Sequence, residues 1–104
     1  MKKKYIVKES KEFEKIIKKG ICKKNRSFII YNLKNNLKYN RYGISVGKKI
    51  GNAVIRNKYK RKIRHIIDNC KKNYVNNSDY IIILRKGALE KNFQELIKDY
   101  LNIV

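Results

Sequence analysis

The chain has no proline and no tryptophan, and only five glycines in 104 residues. With so little of either breaker there is no hinge or linker signature, and no internal repeat divides the chain. One small domain spanning 1–104 is expected. Two cysteines, Cys22 and Cys70, show no metal-ligand spacing. They are read as reduced thiols acting as small core hydrophobes in a cytoplasmic chain. His65 is the single histidine, so no histidine pair is available for zinc or for acid–base chemistry. It follows the basic run and is expected to face solvent. No long hydrophobic run is present. The segment Met1–Val7 is basic and leads into further charge, so neither a secretory signal nor a membrane contact is expected.

Acidic residues are the scarcest charged type, eight against 28 lysines and arginines, which leaves a formal charge of +20. They are also scattered. Glu9, Glu12 and Glu14 lie in or just before the first helix, while Asp68, Asp79, Glu90, Glu95 and Asp99 are spread thinly beyond it. No paired-carboxylate motif or Ser-His-Asp order appears. Lys48-Lys49-Ile50-Gly51-Asn52 lacks the flanking glycines and the Lys-Ser/Thr ending of a phosphate-binding loop. No catalytic residues are therefore expected on the protein, and no stably bound metal. Self-repulsion at this charge opposes a compact state, and a polyanionic partner relieves it.

What is present is a regular alternation of patterns. Hydrophobic residues make up 42%, enough for a globular core. Residues 1–9 read as a basic, flexible arm. Ser10 suits an N-cap and Gly20 a stop, which predicts a helix over 11–19 with Phe13, Ile16 and Ile17 on one side. Residues 26–33 alternate as a strand, with Phe28 and Ile30 on one face and Tyr31 and Leu33 on the other, and a short strand over 21–23 precedes it. Asn35-Asn36 marks a turn. Residues 42–46 form another strand, whose second face (Gly43, Ser45, Gly47) is small enough for close approach. Residues 52–72 read as a long helix. After a break at Asn76-Asn77-Ser78, residues 79–84 (DYIIIL) read as a strand covered on both faces. Phe93, Leu96, Ile97, Tyr100 and Leu101 recur at helical spacing and close the chain. The expected fold is α+β, in the order α-β-β-β-α-β-α, with one mixed four-stranded sheet packed by helices.

The long helix carries the functional signal. At roughly 100° per residue, Ile55, Tyr59, Ile63, Ile66, Ile67 and Cys70 fall in an arc of about 120°, the expected core stripe. Arg56, Asn57, Lys60, Arg61 and Arg64 fall in a neighbouring arc of about 140°, with Lys58 and Lys62 outside it. No acid lies between Gly51 and His65 to pair with this ridge. Arginine forks pair bidentately with phosphate, lysine adds point charge, and Asn57 supplies both a donor and an acceptor. The plainer alternative is a solvated cationic face.

The stretch GISVGKKIGNAVIRNKYKR, running on to Arg64, resembles the bacterial ribonuclease P protein subunit, whose RNxxKRxxR run opens its central helix. The resemblance implies a left-handed β-α-β crossover. It also implies an endoribonuclease subunit that assists removal of the 5′ leader from precursor tRNA, with hydrolysis performed by the RNA subunit. Mg²⁺ for that holoenzyme would be bound mainly by the RNA. RNA-subunit contacts are expected at Lys48, Lys49, Arg56, Asn57, Lys58, Lys60, Arg61 and Arg64, in a 1:1 complex. Leader contacts in precursor tRNA are expected at Phe13, Ile17, Arg26 and Tyr31. Two positions depart from the family pattern: Lys58 stands where a second arginine is usual, and Ile17 where an aromatic is often found. The alternatives from composition alone are a structural RNA-binding protein, for instance a ribosomal one, and a DNA-compacting protein.

Overall fold

In the structure, a computed structural model that describes residues 2–70 and 77–104, the apolar run after Asn77 becomes an inner strand of a four-stranded sheet. The strands are β1 (Ile21–Lys24), β2 (Phe28–Lys34), β3 (Arg41–Ser45) and β4 (Ser78–Leu84), in the spatial order β1-β2-β4-β3. β1 and β4 each run antiparallel to β2, and β3 is parallel to β4. Parallel neighbours require a crossover, which is supplied by helix α2 (Ala53–Asn69). Helices α1 (Ser10–Lys19) and α3 (Phe93–Ile103) complete the α-β-β-β-α-β-α order.

Period-2 alternation gives the sheet two apolar faces. Phe28 and Ile30 of β2, Tyr42 of β3, and Tyr80, Ile82 and Leu84 of β4 meet Ile63, Ile66 and Ile67 of α2 and Leu96 and Tyr100 of α3. Each fully buried isoleucine there contributes roughly 1.5–3 kcal/mol. The rings of Phe28 and Tyr100 meet edge to face at 5.6 Å. Helix α3 starts in a capping box, with Asn92 and Glu95 satisfying each other's backbone N–H groups. On the opposite face, Val7, Ile16 and Ile81 form a smaller cluster with half-buried Phe13, Tyr31, Leu33 and Ile83. Among the described residues, α1 and the amino-terminal segment cover this face, and Phe13, Tyr31, Leu33 and Ile83 keep part of their surface open.

Four sequence expectations are corrected. Of the expected free arm over 1–9, the described part is docked: Lys3–Tyr5 form a 3-10 turn, Ile6 bridges to Tyr42, and Val7 is buried with its N–H donated to the Tyr42 carbonyl at 2.9 Å. Periodicity does not register a short segment of this kind, and here it lies along the outer edge of β3. Helix α1 begins at Ser10 itself, with Glu9 at the cap and no side-chain cap bond. Cys22 is exposed rather than in the core, on the edge strand β1 whose residues are all exposed; Cys70 is buried as expected. Ile55 belongs to the predicted stripe of α2 but is 38% exposed, since the first turns of this helix overhang the sheet. The last two residues expected for that helix, Lys71 and Lys72, and Asn76 of the break lie outside the described residues.

Candidate nucleic-acid interface

The basic ridge begins at a built corner. After β3 the chain makes a 3-10 turn, Lys48–Ile50, in which buried Ile50 pins the backbone and leaves Lys48 and Lys49 exposed. Gly51 follows with φ 159°, and a Cβ there would lie 3.0 Å from Ile55. Asn52 then caps α2 by accepting a hydrogen bond from the Ile55 N–H at 3.0 Å. This corner directs the first half of α2 outward. Asn57, Lys58, Arg61 and Arg64 are exposed, and Arg56 and Lys60 are partly so. Val54, in the first turn, is 75% exposed.

Among the described residues, none of these cations is paired with an acid. Both ion pairs among the described residues involve Arg41, on β3. Lys62, outside the ridge, places its ammonium 5.0 Å from the centre of the Tyr59 ring. Arg56 has its Nε shielded from solvent and without a hydrogen-bond partner. Lys60 and Arg64 line a shallow cavity of about 100 Å³ with Ile6, Val7, Tyr42 and Ile44. The ridge therefore runs beside the edge of the sheet and the docked amino-terminal segment. His65 is exposed, its ring 5.8 Å from that of Phe93.

The open face of the sheet carries the other candidates. Strand register places Cys22, Tyr31, Ile81 and Gly43 in one row across it, and Lys24, Ile29, Ile83 and Ser45 in the next. Phe13 descends onto this face from α1: a Cβ on Gly43 would lie 2.6 Å from Phe13 Cζ and 2.7 Å from Ile81 Cδ1. Phe13 and Tyr31 are thus brought together around Ile81, each half-buried. A hydrogen bond with the Cys22 thiol, followed by burial, raises the Tyr31 phenol above its ordinary pKa, so the ring is neutral near pH 7. Ile17, one turn beyond Phe13, is 39% exposed and stands outside the packed cluster. Arg26 stands apart as well. It is exposed on the turn before β2, where its backbone presses against Gly87 and Ser27 accepts the Arg85 N–H at 2.8 Å.

Sequence reading missed the polar group that joins α1 to the sheet. Arg41 donates from Nε to Asp79 Oδ1 at 2.9 Å and from its Nη2 to Oδ2 at 2.7 Å, and the same Nη2 lies 2.6 Å from Glu12 Oε2. Asn35 also donates to Asp79 Oδ1, at 2.8 Å. The two carboxylates hold the Arg41 guanidinium well above its usual value, Asp79 more strongly than Glu12. Its members are far apart in sequence and follow no periodicity, so no local signal marks them. Ile29 and Ile83, also missed, were legible in the alternation of their strands. Among the described residues, no three His, Cys, Asp or Glu side chains gather at metal-binding distance, and no helix is long and apolar enough to cross a membrane.

This arrangement offers two kinds of contact: unpaired cations along an outward helix for phosphates, and an aromatic and aliphatic floor for unpaired bases. Comparison with known proteins gives the family. The family model described as Ribonuclease P matches residues 1–104. The chain is 44% identical over 104 residues to a Ribonuclease P protein component of Streptococcus pneumoniae (strain Hungary19A-6), covering 100% of this chain and 85% of the relative. Among solved structures, it is similar to the Staphylococcus aureus RNase P protein (TM-score 0.87, 36% identity, 95% of this chain and 91% of the other). It is also similar to the Thermotoga maritima RNase P protein (TM-score 0.85, 31% identity, 92% and 91%).

Proposed function

Because the chain belongs to the ribonuclease P protein family, we propose that it acts with the RNA subunit of that endoribonuclease through two separate surfaces. On this reading it serves in the removal of the 5′ leader from tRNA precursors, a role consistent with the family. The RNA subunit is engaged by the Lys48–Lys49 turn and by Arg56, Asn57, Lys58, Lys60, Arg61 and Arg64 of α2. The leader is engaged by the open sheet face, with Phe13 and Tyr31 as the aromatic floor, Ile17 at its rim and Arg26 as an outlying phosphate contact. One protein pairs with one RNA subunit. The catalytic Mg²⁺ is held mainly by the RNA, and the protein reduces repulsion between two large anions.

The observation that carries this reading is the unpaired cation ridge on an outward helix beside a partly uncovered aromatic face. A leader is present in the precursor and absent from the mature product. Binding energy drawn from the leader therefore favours substrate over product, the differential that a processing enzyme needs. The test uses the cognate RNA subunit with and without this chain at low Mg²⁺. The chain should raise cleavage, and the complex should bind precursor with a leader of several nucleotides more tightly than leaderless tRNA. Equal affinity for the two would refute the leader surface. A structural RNA-binding protein, the rival from composition, would leave cleavage unchanged.

A further inference from the structure

Helix α1 is weakly held for an element that carries part of a binding floor. Of its ten residues only Ile16 is fully buried, and Phe13 is half-buried. Its two ends are fixed differently. At the carboxyl end, Gly20 presses against the sheet so closely that a Cβ would lie 2.8 Å from the Asn32 carbonyl oxygen. At the amino end, the preceding segment is tied by the Val7 to Tyr42 hydrogen bond, and the helix itself by one ion pair, Glu12 with Arg41. Arg41 is oriented by bidentate bonding to buried Asp79, which Asn35 braces in turn. The guanidinium thus links α1, β3 and β4 at a single point, one residue from Phe13.

From this geometry we infer that Arg41 is a positioning residue for leader recognition, acting through Glu12 to hold Phe13 on Gly43 at a fixed height above Tyr31 and Ile81. The inference rests on the leader surface proposed above. Gly43 sets the height from below, because any side chain there would displace the ring. The ion pair sets it from above. A rigid fork suits this task, since Arg41 must meet two carboxylates at once in fixed directions, which an ammonium on a flexible stem does less well. A ring held at one height offers a prepared stacking surface, so ordering it costs the leader little on binding.

Glu12→Ala tests this with little risk to the fold. Glu12 is a third exposed, alanine suits a helix, and the Arg41–Asp79 pair stays intact. The readout is the ratio of holoenzyme affinities for precursor and for leaderless tRNA, measured in wild type, Glu12→Ala, Phe13→Leu and the double variant. Glu12→Ala should lower the ratio roughly threefold to tenfold, a loosened rather than a lost stack, with RNA-subunit affinity unchanged. The double variant should be no worse than Phe13→Leu, because both changes act on the same ring. An unaltered ratio in Glu12→Ala, multiplied losses in the double variant, or an equal loss of RNA-subunit affinity each overturns the positioning role and leaves the leader surface standing. A wild-type ratio of one overturns the leader surface and this inference together.

Discussion

Replacing Arg61 and Arg64 together by alanine should change how RNA-subunit binding responds to salt. Both side chains are exposed on α2, and neither has an acidic partner whose loss would confound the result. Alanine is the strongest helix former, so the thermal midpoint should move little. The cations assigned to the RNA subunit are Lys48, Lys49, Arg56, Lys58, Lys60, Arg61 and Arg64. If each neutralises one phosphate, the slope of log K against log salt is about −6, at roughly 0.9 per contact. Doubling salt from about 100 to about 200 mM then weakens wild type roughly eightyfold. With two contacts removed the slope falls to about −4.5 and the loss to roughly twentyfold. The assay is a titration of labelled RNA subunit at several salt concentrations. Lys98→Ala, an exposed cation on α3, is the control and should leave the slope alone. The reasoning fails if the double variant gives a line parallel to wild type, or if the control changes the slope as much.

Three further predictions concern other parts of the molecule. Ile17→Phe restores an aromatic at the rim of the floor and should raise precursor affinity without altering that for leaderless tRNA; the gain is bounded by roughly 1–3 kcal/mol for one stacked base. Cys22 is exposed and Cys70 is buried, with burial raising the Cys70 thiol above its usual value. A thiol reagent near pH 8 should therefore label Cys22 first and reach Cys70 only on unfolding, which mass spectrometry of timed samples resolves. Burial also raises the Tyr42 phenol. A group whose folded pKa is raised contributes stability that is complete below its unfolded value and is lost as pH rises through the folded one. Urea midpoints should accordingly fall as pH climbs above 9.0, the ordinary thiol value, and Cys70→Ala should remove the thiol share of that fall.

Much of this architecture was legible locally. The run 79–84 was nearly all apolar because β4 lies between β2 and β3 and is packed on both faces, so both alternating sets of side chains read as core. The cation ridge was legible because 100° per residue maps sequence onto a helix surface without further information. The same arithmetic erred at Ile55, since periodicity shows which face of a helix is apolar but not how far along its length the sheet extends. It erred at residues 3–7 for a related reason. A short segment that docks through one bridge and one buried valine leaves no periodic trace.

Sequence alone settled which helix carries the cation ridge and that residues 79–84 form a strand packed on both faces, and it showed acids that are few and scattered along the chain. These follow from composition and from side-chain spacing within single elements. Tertiary structure decided what those elements meet. It set Phe13 onto Gly43, put Tyr31 beside Cys22, left part of one sheet face uncovered, and gathered Glu12 and Asp79 around the Arg41 guanidinium. Such meetings join residues at least nine positions apart through strand order and helix docking, and no local pattern encodes either.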